Sequence, residues 1–154
     1  IFVADQMGGA VVRINSDCTS SNIVTMWPSG PIDSPTAITI AHGGLYVTGS
    51  SGVYFVSLND QMVASSVTRL DWTVQNVEGL SMGYNGTIYF IDHGTGVKIF
   101  DPSTGEVSVY FATNQYNIPD IKDIKVTENC GVFLAVTDSN QIWKCDDPMD
   151  GTTC

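Results

Sequence analysis

The sequence predicts an all-β fold built from a repeated four-stranded antiparallel unit, and three observations predict it. First, the segments IFVAD (1–5), LYVTG (45–49), IYFID (88–92) and VFLAV (132–136) start 44, 43 and 44 residues apart. Chance does not readily keep such an interval three times, and a fixed period of this size marks a repeat architecture. Second, these segments are apolar on both alternating faces: Ile88 and Phe90 on one, Tyr89 and Ile91 on the other. A strand with one wet face would alternate polar and apolar residues, so these strands belong to sheets covered on both sides. Third, no stretch carries the 3.6-residue apolar period of a helix. Four-stranded sheets that recur and are sandwiched between others stack around an axis as a β-propeller, here with a repeat of about 43 residues.

Each element follows from the same alignment. The four segments above are the second strand of each unit. A third strand follows each one: VVRIN (11–15), VYFVS (53–57), VKIFD (97–101) and IWKCD (142–146). The residues between them, QMGGA, SSG, HGTG and TDSNQ, are hairpin signals. A first strand precedes three of them: TAITI (36–40), EGLSM (78–82) and KDIKV (122–126), joined through AHGG, GYNGT and TENCG. A more polar fourth strand closes three units: NIVTMW (22–27), SVTRL (66–70) and EVSVYF (106–111). The predicted blades are 1–27, 34–72, 76–112 and 121–154. The first lacks its first strand, and the last has only GTTC where its fourth would run. The chain starts at Ile1 without a Met and reads as part of a longer protein and a larger propeller. The alternative is a small four-bladed ring in which the termini complete one another's sheets. Open edges and faces at a break are a liability, which favours the larger propeller.

Composition narrows the function classes. At 154 residues the chain has the size of one domain, and 43% hydrophobic against 14% charged residues excludes disorder. A net charge of −10, from 16 acids and six bases, argues against nucleic acid and against an anionic membrane surface. No apolar run reaches transmembrane length, and no signal peptide is present. Cys18, Cys130, Cys145 and Cys154 match no zinc or redox spacing. With few lysines and many serines and threonines, they suggest an oxidising compartment, extracellular or secretory. Asn85-Gly86-Thr87 is a glycosylation acceptor, and Asn85-Gly86 is equally a tight hairpin turn.

The segments GGLYVTG, GTIYFID, VKIFDPSTGEV, IFVAD and VVRIN resemble the NHL and YWTD class of propeller repeats. They also resemble the gluconolactonase, SMP-30 and strictosidine-synthase-like propellers. The likeness covers nearly the whole chain and speaks to fold, because these families share strand patterns without sharing chemistry. Most of them close with six blades. In the gluconolactonase-like families a Glu opening a first strand binds a divalent metal, with Asn and Asp from other blades. The resemblance implies that role for Glu78 and makes calcium the conceivable cofactor. The equivalent positions hold Thr36 and Lys122 or Asp123, so the visible blades assign no Asn or Asp partners towards the six or more oxygens a hard cation needs. A channel-lining or capping carboxylate is the other reading of Glu78.

The remaining candidates are local. His93 follows a second strand on the rim where propeller ligands commonly bind. His42 lies at the opposite end of its hairpin, so the two share no site, and either is also readable as a solvated turn residue. Asp5, Asp92 and Asp138 end or follow second strands and can stabilise the next turn by accepting backbone N–H groups; Gly49 replaces them in the second copy. Cys145 and Cys154 are a candidate cross-hairpin disulfide, unless Cys154 opens a Cys-rich module. Cys18 and Cys130 remain unassigned. Asp146, Asp147 and Asp150 form an acidic turn or a weak calcium site. Trp27, Trp72 and Trp143 are expected in packing, with sugar stacking as the alternative. No G-x-S-x-G nucleophile motif occurs, and GSSG (49–52) is a turn rather than a phosphate loop.

The function expected from these readings is a non-enzymatic extracellular scaffold. Its partners would be other protein chains or copies of itself, with an assembly or filament as the end state. No catalytic residue, nucleic-acid partner, membrane insertion or required cofactor is assigned. Two alternatives stand beside it: a calcium-dependent lactonase or esterase-like enzyme using Glu78, and a glycan-binding lectin.

Overall fold

Fourteen strands and no helix make up the regular structure among the described residues. The computed structural model describes residues 1–25, 32–70, 74, 76–112, 120–127, 131–137 and 139–145, with backbone alone at 21–25 and 145. No helix among them is long and apolar enough to cross a membrane. The strands form antiparallel sheets of four or three, the blades of a β-propeller. Two compact units divide the chain, Ile1–Val77 and Glu78–Cys154.

The first unit holds two sheets. In one, β1 (Phe2–Asp5), β2 (Ala10–Ile14) and β3 (Ser20–Thr25) are neighbours in chain order. In the other, β4 (Ala37–Ala41), β5 (Gly44–Gly49), β6 (Gly52–Leu58) and β7 (Ala64–Arg69) form a four-stranded meander. Its core gathers Val11, Ile32, Leu45, Val47, Tyr54 and Val56. Thr48 is fully buried there, and its hydroxyl is satisfied by Thr36 Oγ1 at 2.9 Å and the Ala37 N–H at 3.0 Å. A buried hydroxyl without such partners would carry a desolvation cost.

The second unit repeats the plan. β8 (Val77–Met82, beginning at the unit boundary), β9 (Ile88–Asp92), β10 (Gly96–Asp101) and β11 (Glu106–Ala112) form a four-stranded meander. β12 (Ile121–Val126), β13 (Val132–Val136) and β14 (Gln141–Cys145) form a three-stranded sheet. Ile91 and Val97 from the first of these sheets meet Ile124, Val126, Leu134 and Val136 from the second. Fully burying one such side chain contributes roughly 1.5–3 kcal/mol, so this face is the main cement of the unit. Ser81, also buried, accepts the Val126 N–H at 3.0 Å and ties β8 to β12. Gly79 lets β8 approach so closely: its φ is +52°, and a Cβ there would lie 3.1 Å from the Asp123 Cα.

Most predicted strands lie within one or two residues of the observed ones. Burial on both faces holds throughout β5 and β9. It fails in β1, where Val3 is 38% exposed, because β1 is an edge strand with only β2 beside it among the described residues. Trp143, expected in packing, is also 38% exposed and donates its indole N–H to Gln141 Oε1 at 2.9 Å. It lies on β14, an edge strand of its sheet. The other two tryptophans, Trp27 and Trp72, lie outside the described residues. So do Cys130, Asp138, Asp146, Asp147, Asp150 and Cys154, and with Cys154 the candidate pairing to Cys145. Among the described residues no disulfide forms, and Cys18 is a free, exposed thiol.

Candidate functional site

Antiparallel pairing decides which turn residues meet. β8 and β9 are hairpin neighbours joined through the turn at Gly83–Thr87, so the start of β8 lies beside the end of β9. That places Glu78, near the start of β8, against His93, the residue after β9. The start of β12, from the neighbouring sheet, adds Asp120 and Lys122 on the same rim.

The four side chains form a closed set of contacts. His93 Nε2 is 3.2 Å from Glu78 Oε2, and His93 Nδ1 is 3.6 Å from Asp120 Oδ1. Lys122 Nζ is 3.4 Å from Glu78 Oε2 and 3.3 Å from Asp120 Oδ1. The side chains of His93, Glu78, Asp120 and Lys122 remain 26, 30, 33 and 41% exposed, open enough to meet a ligand from solvent. Asp120 is fixed from behind: Thr137, after β13, donates its hydroxyl to Oδ2 at 3.1 Å and its N–H to the Asp120 carbonyl at 3.0 Å. Burial pushes the Asp120 carboxyl up, but the Thr137 hydroxyl and Lys122 outweigh it and hold the group below its ordinary value. Lys122 is held above its ordinary value, because Asp120 and Glu78 outweigh the opposing effect of burial.

The backbone supports both sides of this set. Asp92, 5% exposed, accepts the Gly94 N–H at 3.1 Å and the Thr95 hydroxyl at 2.7 Å, and pairs with Lys98 Nζ at 2.8 Å. The turn that carries His93 is therefore pinned at its first residue. Lys122 is the extra residue of a β-bulge: pairing passes from Ile121 opposite Val136 to Asp123 opposite Ala135. Bulges turn a side chain away from the regular pleat, and they are frequent beside active sites.

The other sequence candidates lie apart from this cluster. Asp5 Oδ1 accepts the Gly8 N–H at 2.8 Å in the turn after β1. Asn85 is exposed in its turn, and its Oδ1 accepts the Thr87 N–H at 3.0 Å. His42 has a φ of +50° and sets its ring edge-on to Tyr46, at a centroid distance of 6.2 Å. Thr36, at the position equivalent to Glu78, shares its hydroxyl with Thr48 and presents no charge. Residue-by-residue reading reached Glu78 and His93 but missed Asp120 and the grouping. The available signal was the hairpin register together with the repeat: Lys122 stands 44 residues after Glu78, one repeat on.

A cavity of about 480 Å³ lies at the other end of the same sheet, lined by Ile99, Asp101, Thr104, Glu106 and Ser108 among others. Among the described residues its acidic groups form no ion pair. The Asp101 carboxyl is occupied by the Ser103 N–H and hydroxyl at 2.8 and 2.7 Å. This hollow is thus the poorer chemical site, and the His93 rim is the better one.

Comparison with known proteins agrees with the architecture. No protein-family model matches the sequence, and no curated protein matches it by sequence. Solved structures do match. Virginiamycin B lyase from Staphylococcus aureus has a TM-score of 0.68 at 13% identity, over 97% of this chain and 52% of the lyase. A gluconolactonase from Xanthomonas campestris has a TM-score of 0.71 at 14% identity, over 98% of this chain and 59% of that one. The WD40 propeller domain of Doa1 has a TM-score of 0.58 at 11% identity, over 94% of this chain and 49% of that one. A catalytically inactive histidine-to-alanine variant of virginiamycin B lyase, solved with quinupristin, also matches, with a TM-score of 0.60 at 15% identity. The chain spans about half the length of these structures. Likeness at this identity establishes the β-propeller fold.

These findings correct the expectation of a non-enzymatic scaffold. Two of the similar structures, over 97 and 98% of this chain, are a lyase and a gluconolactonase. The chain's own rim groups a histidine with two carboxylates and an ammonium, a set suited to proton transfer. The scaffold reading rested on the incomplete ring and its open edges, and the cluster is spread over two sheets where no linear motif records it.

Proposed function

We propose that this chain forms part of a propeller enzyme that opens lactones or related esters, with His93 as general base and then general acid. The carrying observation is the placement of His93 between Glu78 and Asp120. Glu78 lies at hydrogen-bond distance from Nε2 and accepts the proton of the tautomer that satisfies this geometry. Asp120 lies 3.6 Å from Nδ1, beyond that distance, so Nδ1 is not committed to a hydrogen bond with it and is the nitrogen this reading assigns to the substrate proton. A base oriented by a carboxylate on its other nitrogen is the working arrangement of many hydrolytic sites.

The steps then follow. Nδ1 takes a proton from water as the water oxygen attacks the ester carbonyl. The acyl C–O bond breaks, and the departing alkoxide takes the proton back from the imidazolium. The product is the hydroxy acid, and His93 ends as it began. Glu78 keeps the ring oriented and offsets the charge of the imidazolium. General acid–base catalysis of this kind contributes about 10²–10⁴-fold.

Two features support lactones and esters over other substrates. One similar structure is named for a lactone, and another, named a lyase, is inactive without one histidine, which supports a histidine-dependent reaction on this fold. The finer family assignment belongs to this proposal as well: among the resemblances read from the sequence, the gluconolactonase-like one agrees best with those neighbours. The divalent cation that this resemblance implies does not fit the residues present. Lys122 already contacts both carboxylates, and among the described residues no three His, Cys, Asp or Glu converge on a metal position. No step is routed through a metal.

The test is hydrolysis of δ-gluconolactone and of simple aryl esters, followed by acid release. Wild type and His42→Ala should be active, and His93→Ala should lose about 10²-fold or more in kcat. A wild-type protein inert towards the whole panel, or a fully active His93→Ala, would remove this reading.

A further inference from the structure

We infer that Lys122 occupies the place a divalent cation would take at this rim, so that the acidic pair is offset by an ammonium without metal. Three observations carry this. The Lys122 ammonium touches both acidic members, Glu78 at 3.4 Å and Asp120 at 3.3 Å, as a bridging cation would. Its side chain reaches them from a β-bulge, a local distortion that aims one residue out of the regular pleat. And Glu78 and Lys122 stand one repeat apart on first strands, so neighbouring blades place opposite charges at equivalent positions.

The electrostatics point the same way. Removing Lys122 would leave Glu78 and Asp120 facing one His, an acidic pair on a chain with a net charge of −10. With Lys122 present, an incoming divalent cation meets a positive charge within a few ångströms, and that repulsion is strong near a protein surface. Both carboxylates raise the affinity of Lys122 for its proton, so the ammonium stays charged through neutral pH. A hard cation would complete its shell of six or more oxygens with water beside the two carboxylates. The ammonium, with three donors, is satisfied by fewer.

The inference needs no turnover, so it stands or falls separately from the lactone reading. The experiment is calorimetric titration of the chain with Ca²⁺ and Mg²⁺ at low salt. The proteins are wild type, Glu78→Gln, Lys122→Met, Lys122→Gln and the double variant Glu78→Gln/Lys122→Met. Circular dichroism confirms that each is folded. Wild type and Glu78→Gln should give the same heats. Lys122→Met and Lys122→Gln should bind Ca²⁺ about tenfold or more tightly than wild type, as expected for deleting one nearby charge. The double variant should lose that gain. Wild-type heat that Glu78→Gln removes would overturn the inference, because the cation would then already have its place. Folded Lys122 variants that gain nothing over wild type would overturn it too, because Lys122 would not be what keeps a cation out.

Discussion

Gly79→Ala is the substitution whose cost the structure sets most sharply. Gly79 sits beside Glu78 on β8 with a φ of +52°, a conformation that costs an L-residue about 1–2 kcal/mol. The added Cβ would meet Ile91 Cδ1 at 2.6 Å, the end of a side chain that can rotate away. It would also meet Asp123 Cα at 3.1 Å and Ile124 N at 3.2 Å, which belong to the β12 backbone and yield only if the strand moves. Overpacking of this kind adds about 1–3 kcal/mol. Gly105→Ala is the control, since Gly105 has a φ of +76° with nothing within 4 Å of the new Cβ. It should show the backbone cost alone. Gly79→Ala should therefore lose about 1–3 kcal/mol more than Gly105→Ala, or roughly a further 3–10 °C in Tm for a chain of this size. Urea and thermal unfolding of both variants measure the difference. Equal losses in the two would refute the close approach of β8 to β12 and, with it, the positioning of Glu78 beside Lys122.

Other expectations concern the interior of the second unit. Asp92→Asn leaves the Lys98 ammonium, 9% exposed, without its counter-charge and should cost about 3 kcal/mol, while Asp92→Asn/Lys98→Met should recover part of that in urea unfolding. Burial raises the Asp92 carboxyl, but Lys98, the Thr95 hydroxyl and the Gly94 N–H outweigh it and leave the group below its ordinary value of 3.8. Its contribution is therefore full above that value and lost as pH falls through the lower folded value, so Asp92→Asn should flatten the acid limb of a stability-versus-pH curve. Leu134→Ala, at a position only 1% exposed, should cost about 2–5 kcal/mol by equilibrium unfolding, with a cavity left between the two sheets.

The fold was legible because a repeat multiplies weak signals. IYFID alone is an apolar run of uncertain meaning, but four such runs at one interval fix strand order and the covering of both faces. Edges were less legible: Val3 and Trp143 read as packed because their type and period match buried copies, yet among the described residues each lies on a strand with a neighbour on one side only. The site was half legible. Glu78 and His93 stood out as residue types, but their contact depends on hairpin register, which brings the start of one strand to the end of the next. Asp120 gave no signal of its own, since it precedes a strand and its role comes from Thr137 and Lys122 in three dimensions. The reach of Lys122 depends on a bulge, a one-residue shift that periodicity does not resolve.

The central claim is that His93 and Glu78 act as one unit. A double-mutant cycle on kcat/KM for lactone hydrolysis tests it most directly, with His93→Ala, Glu78→Gln and the two combined. The combined variant should be no slower than His93→Ala alone, because a carboxylate that only orients and balances the imidazole has nothing to do once the ring is gone. Losses that simply multiply, or a Glu78→Gln variant as fast as wild type, would contradict the account.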